Sequence, residues 1–168
     1  FKEAKYHFEQ AGDRANAIAP VTNMADLSFL RGQLPAAAHA YEQAIQMIQA
    51  IDLSDASYEL TRLADLELTQ GRIREAHQHI EKSMESLHGE AALPMSNALA
   101  VSGELAQVEG NLGAARDTLN RSLKIGQNLG DLTLVAQIQT EIASVAIAEG
   151  RPEQAEHDIR QAIAQFEK

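Results

Sequence analysis

The chain has 168 residues, a formal net charge of −10, no cysteine, and 45% hydrophobic but only 4% aromatic residues. The length suits one compact domain or a short run of repeats, and the acidic balance argues against nucleic acid as a partner, since phosphate neutralisation needs clustered Lys and Arg. Without cysteine, disulfides, thiolate nucleophiles and cysteine-based zinc sites are excluded, which fits a cytoplasmic protein; no apolar run approaches the ~18 residues of a membrane-spanning helix.

Taken in chain order, the apolar periodicity predicts about nine helices. The first, near 1–12, carries Ala4, Phe8 and Ala11 on one stripe. It opens on Phe1 without an initiator Met, as expected of a segment cut from a longer protein. Helices near 15–31 and 34–51 flank Gly32, and Asp52 to Ser54 hold cap residues. Helices near 54–70 and 73–88 flank Gly71, with Gly89-Glu90 as the next junction. Helices near 92–109 and 112–129 flank Gly110. Gly130-Asp131 then ends one helix on glycine and starts the next on an N-capping carboxylate. The last pair, near 131–149 and 152–168, flanks Gly150.

The glycines Gly32, Gly71, Gly110 and Gly150 recur at near-equal spacing. Other positions recur in phase with them, and a period of about 40 residues signals a solenoid. Five residues after each glycine stands Ala37, Ala76, Ala115 or Ala155. Nine after it stands Tyr41, Ile80, Leu119 or Ile159, and twelve after it Ala44, Ser83, Ser122 or Ala162. Then come Ile45, Met84, Leu123 and Ile163. Seven before the glycine the residue is small (Ala25, Ala64, Gly103, Ala143), and five before it is Leu27, Leu66, Leu105 or Val145. These offsets mark one face on each of two successive helices. Small residues on both faces permit close approach, and the larger residue fills the space beside them. The expected organisation is a half-repeat over 1–13 and repeats over 14–52, 53–90, 91–130 and 131–168.

This pattern resembles the tetratricopeptide repeat family. Gly71-Arg-Ile-Arg-Glu-Ala76-His-Gln-His-Ile80-Glu-Lys-Ser83 follows its turn glycine and second-helix signature, as do Gly32 through Ala44 and the opening Ala4, Phe8 and Ala11. The repeat is longer than the family's usual length of about 34 residues. The first-helix tryptophan is replaced by Val21, Leu60, Leu99 and Gln139, and Pro152 replaces an apolar residue. The long repeat and the Leu129-Gly130-Asp131 junction are similar to helical-repeat segments of large bacterial regulators of the maltose-activator type. The resemblance implies an all-α, right-handed superhelical array of antiparallel hairpins that binds or scaffolds rather than catalyses.

Searches for chemistry agree with that expectation. No HExxH or GxSxG motif is present. His77 and His79 stand two apart on a helix and diverge, while His39 and His157 lie in separate repeats. All four are expected to be exposed helix histidines. Ser83 and Ser122 occupy small-residue packing offsets. Neither Gly110-Asn-Leu-Gly113 nor Gly126-Gln-Asn-Leu-Gly130 has the ending of a phosphate loop. No catalytic residue, metal or cofactor is expected.

In the family the first helices line a concave groove, which directs attention to their second face. There the chain places Thr22, Asp26 and Phe29; then Tyr58, Thr61, Asp65 and Leu68; then Asn97 and Glu104; then Gln137 and Thr140. Asp26, Asp65 and Glu104 are expected to form a ladder of acids, with Arg62 the only basic residue nearby. Such a groove suits a protein or peptide that is neutral or basic. The competing readings are a regulatory sensor segment of a multidomain regulator or kinase, and a structural spacer or self-association module. Weak self-association is expected through the terminal helices, by way of Ala4, Phe8 and Ala11 at one end and Ile159, Ile163 and Phe166 at the other.

Overall fold

The computed structural model describes residues 1–10, 12–13, 15–51, 55–87 and 92–164. The expected features at Ala11, Asp52 to Ser54, Gly89-Glu90 and Phe166 lie outside the described residues. Among the described residues there are nine helices and no strand: α1 (Lys2–Gln10), α2 (Ile18–Leu30), α3 (Leu34–Ala50), α4 (Ser57–Thr69), α5 (Ile73–Ser86), α6 (Ala92–Val108), α7 (Leu112–Leu129), α8 (Leu132–Ala148) and α9 (Pro152–Ala164). No helix among the described residues is long and apolar enough to cross a membrane. The chain divides into two compact units, Phe1–His88 and Gly89–Lys168.

The helices pack chiefly as the hairpins α2–α3, α4–α5, α6–α7 and α8–α9. The turn inside each is a Schellman motif. In the α4–α5 turn, the Gly71 amide bonds to the Leu68 carbonyl at 2.9 Å and the Arg72 amide to the Glu67 carbonyl at 2.8 Å. Gly71 stands at φ 71°, a left-handed conformation that costs glycine little and strains any residue with a Cβ. The turns at Gly32, Gly110 and Gly150 repeat the same pair of bonds.

The motif also closes α7, where Gly130 is left-handed and the Asp131 carboxylate accepts the Leu134 amide at 3.0 Å, so the expected cap is present. A further turn glycine, Gly12, ends α1 two residues earlier than expected: its φ is 72°, and the Asp13 amide bonds to the Phe8 carbonyl. Its signal was its place in the period, since Gly12 stands as far before Gly32 as Gly130 stands before Gly150. Prolines stand only where helices begin or in the first turns. Pro35 is at the start of α3 and Pro152 opens α9, where a missing amide hydrogen costs nothing.

The repeated small positions are the core. Ala25, Ala64 and Ala143 are fully buried, as are Ala37, Ala76 and Ala115. In the first unit they join Val21, Tyr41, Ile48, Leu63 and Leu66. In the second, Leu119, Leu134, Ile138 and Val145 pack around Ala115. Burying a side chain such as Leu119 contributes roughly 1.5–3 kcal/mol.

Three positions near the ends depart from the pattern. Leu27 is 36% exposed, because the short α1 packs only sparingly on α2. Ile159 is 38% exposed and Ile163 more so, because α9 turns Ala155 and Ala162 inward instead.

Ser83 and Ser122 are more than small. Ser122 Oγ lies 2.8 Å from Ser96 Oγ and donates to the Ser96 carbonyl at 2.7 Å. Ser83 Oγ lies 2.7 Å from Thr61 Oγ1 and 2.9 Å from the Ser57 carbonyl. Buried hydroxyls need such partners, so each pair favours one register of its hairpin over a slipped one.

The closest approach is at Gly103 on α6, where an added Cβ would lie 2.6 Å from Leu119 Cγ and 3.3 Å from the Ala115 carbonyl oxygen. Gly103→Ala is therefore expected to destabilise the chain by about 1–3 kcal/mol. Gly113→Ala, in the first turn of α7 with nothing within 4 Å of its added Cβ, is expected to be neutral or stabilising by up to about 1 kcal/mol. Thermal unfolding of both variants checks this, and equal effects would contradict the packing.

Candidate functional site

The most connected polar cluster lies in the first unit, where α2 and α4 present the expected second face. Asp26, one helical turn before Leu30, accepts three neighbours. Tyr41 of α3 donates its hydroxyl to Oδ1 at 2.5 Å, and Tyr58 of α4 donates to Oδ2 at 2.9 Å. Arg62 of α4 places Nε 3.5 Å from Oδ1, an ion pair too long and misaligned to count as a hydrogen bond. The same guanidinium donates from Nη1 to Asp65 Oδ2 at 2.8 Å and lies 4.6 Å from the centre of the Phe29 ring. That cation–π contact contributes about 0.5–2 kcal/mol. The cluster thus ties three helices together and leaves Tyr58 40% exposed.

One turn away, Glu59 is only 7% exposed and accepts the Thr22 hydroxyl at 2.7 Å. Burial raises its pKa, the Thr22 bond works against that, and the Asp55 and Asp26 charges add to it. Burial likewise raises Asp65, and the attraction of Arg62 only partly offsets this. The Tyr58 hydroxyl is pushed up to about 12, first by burial and then by its bond to Asp26. Tyr41 moves further in the same direction for the same reasons. Both tyrosines are therefore neutral donors throughout the physiological range.

The expected site residues divide accordingly. The structure brings Asp26, Phe29, Tyr58 and Asp65 together around Arg62, with Leu68 half-buried further along α4. Thr22 and Thr61 are buried and spend their hydroxyls on Glu59 and Ser83, so they link helices instead of facing solvent. Asp26 and Asp65 are not bare rungs of a ladder, because one arginine holds both.

In the second unit Asn97 and Glu104 are half-buried on α6, and Glu104 has an interaction of its own. On α8, Gln137 is exposed and bonds to Glu141, and Thr140 bonds to the Ala136 carbonyl. There α6 and α8 are bridged by Gln107 and Ser144 at 2.9 Å.

Sequence reasoning missed the roles of Tyr41, Glu59 and Arg62. A signal was available for Arg62, which stands three residues before Asp65 on one helix. None was available for Tyr41 or Glu59, whose partners are on other helices.

His79 also corrects the expectation of an exposed histidine. It is half-buried, as is His77, and sets Nδ1 2.7 Å from Oε2 of Glu67, a carboxylate buried between α4 and α5. Among the described residues no group of three or more His, Cys, Asp or Glu is arranged to hold a metal ion.

Glycine-turned helical hairpins, packed on small residues at a fixed period, define a tetratricopeptide-like repeat protein. The chain belongs to the family described as the MalT-like TPR region, whose model matches residues 2–167. No curated protein matches it in sequence.

Solved structures similar to it include BtubC (BKLC) from P. vanneervenii, with a TM-score of 0.74 at 21% identity, covering 90% of this chain and 64% of that one. Cut9 bound to Hcn1 in an APC/C hetero-tetramer gives a TM-score of 0.70 at 18% identity, over 95% of this chain and 32% of that one. A Podosopora anserina putative kinesin light chain with TPR-like repeats gives 0.61 at 16% identity, over 96% and 91%. The chain thus spans less than two thirds of the first two. Likeness at these identities extends to the fold, one commonly used as a protein-interaction scaffold.

The raised pKa of Glu59 sets a sign for stability. The folded state holds that proton more tightly than the unfolded chain does, so the stabilisation is present at low pH and is lost as pH rises through the Glu59 pKa. Glu59→Gln, which keeps an acceptor for Thr22, is expected to melt a few degrees above the parent at pH 7 and level with it near pH 4. Melting curves at both values check this, and a variant less stable at pH 7 would contradict it.

Proposed function

We propose that the chain is a protein- or peptide-binding scaffold segment of a larger protein, and that the face shared by α2 and α4 receives a neutral or basic ligand. The observation that carries this reading is the charge balance of that face. Among the described residues there, the acids Asp26, Asp65, Glu59 and Asp55 stand with one arginine, Arg62, which pairs with Asp26 and Asp65, beside a Tyr58 ring left open to solvent. An extended peptide can gain stacking area on Tyr58 and Phe29 and hydrogen bonds at their rim, with charge setting selectivity and on-rate. An acidic tail would be repelled.

A second reading is favoured by the family match. A MalT-like TPR region suits a sensor segment within a larger regulator, and a DNA-binding or kinase domain flanking it in the full-length chain would support that use.

For the binding reading, peptides selected from a linear display library should lose about tenfold in affinity or more on Tyr58→Ala, equivalent to about 1.4 kcal/mol. Tyr58→Phe should retain most of the affinity. Glu81→Ala, exposed on α5, should bind like the parent. Binding that survives Tyr58→Ala but is lost with Glu81→Ala would overturn the assignment of the face.

A further inference from the structure

Beside the arginine cluster, the N-terminal parts of α2 and α4 and Ile48 of α3 line an open surface cleft of about 380 Å³. Its apolar lining includes Ile18, Ile48 and the Tyr58 side chain. Two carboxylates, Asp55 and Glu59, also line it, and the described lining contains no Lys or Arg. We propose that this cleft is a receptor for one basic side chain, Lys or Arg, of a bound peptide. The inference rests on the reading of the α2–α4 face as the ligand surface and names what that surface selects.

The argument is one of shape and charge together. A lysine or arginine carries an apolar stem of three or four methylenes and a charged head, and favours surfaces that cover the stem while the head stays polar. The cleft lining combines these three kinds of surface: the isoleucines Ile18 and Ile48, the Tyr58 ring, and the carboxylates Asp55 and Glu59.

Both carboxylates are already oriented by the fold. Thr22 donates to Glu59 Oε1 at 2.7 Å, and the Ser57 amide donates to Asp55 Oδ1 at 3.0 Å. A carboxylate accepts at about four lone-pair sites, so each retains capacity for a cation.

Glu59 is the more telling of the two. It is 7% exposed, and the one basic residue of the neighbouring cluster, Arg62, is held by Asp26 and Asp65. A cationic head entering here relieves a buried negative charge. An apolar side chain in the same place would desolvate that charge further without a partner, and an acidic one would repel it. Burial, with the Asp55 and Asp26 charges adding to it, raises the Glu59 pKa, so a cation beside it would act in the opposite direction.

The experiment begins with peptides selected from a linear display library on the intact 168-residue chain. Each Lys and Arg in a selected peptide is then replaced by norleucine, and Kd is measured by fluorescence anisotropy. At one position the replacement should weaken binding about tenfold for the parent. Glu59→Gln and Asp55→Asn should bring that Lys-to-norleucine ratio close to one, with circular dichroism like the parent's.

A ratio unchanged in both folded variants overturns the cleft assignment. So does a selected set whose affinity ignores its basic side chains while still falling with Phe29→Ala or Leu68→Ala, an outcome that leaves the α2–α4 face standing. Affinity indifferent to Phe29→Ala, Leu68→Ala and Tyr58→Ala, or a selection that yields no binder, overturns the face itself and this inference with it.

Discussion

Two helices can approach only as closely as the atoms at their contact allow, and in this chain those atoms are methyl groups and, once, a hydrogen. Ala25, Ala64, Gly103 and Ala143 occupy the same place on the first helices, opposite Ala37, Ala76, Ala115 and Ala155 on the second. All are buried. Close approach brings the carbonyl of Ala115 and the side chain of Leu119 against the backbone of α6, so that even one more carbon at Gly103 has no room. The larger residues then have a defined slot to fill, and Tyr41 and Leu119 are wholly enclosed in theirs. Because each hairpin buries little area per alanine, its stability comes from many such contacts and from stacking against neighbouring helices.

The polar groups inside this tight packing follow the same geometry. Where α4 meets α5 and α6 meets α7, serine substitutes for alanine at the small position, and its hydroxyl finds a partner on the facing helix. A slipped register would leave those hydroxyls unbonded. Glu67 is tied to His79 across the α4–α5 hairpin, and Glu59 is tied to Thr22 between α2 and α4. The two carboxylates differ in kind. Glu67 has a histidine close by and Arg72 at 3.9 Å, whereas Glu59 has a hydroxyl and lies near two other acids.

That difference separates structure from recognition in the first unit. The Arg62 cluster is internally matched: its cation is shared by two aspartates and stacked on Phe29. It holds α2, α3 and α4 together and presents Tyr58. Glu59 and Asp55 beside it carry charge, and the described lining around them contains no Lys or Arg. The corresponding link in the second unit is the neutral bond between Gln107 and Ser144.

The sequence by itself determined the helices, the turn glycines and the small-residue faces. Each of these is a local property: a helix repeats every 3.6 residues, and a left-handed turn needs glycine wherever it occurs. The regular period made the hairpins countable, and Gly12 stands in phase with Gly130 as a junction between hairpins. The face carrying Asp26, Phe29, Tyr58 and Asp65 was legible for the same reason. What that face does with its charges was not. Whether Asp26 is a free carboxylate or accepts two tyrosine hydroxyls and pairs with an arginine depends on Tyr41, Tyr58 and Arg62, all of them on other helices. Likewise Thr22 looks like a surface hydroxyl until Glu59, far along the chain, is packed against it. Partners at that separation meet only after hairpins stack, so burial, pairing and the pKa of Glu59 were decided by the tertiary structure alone.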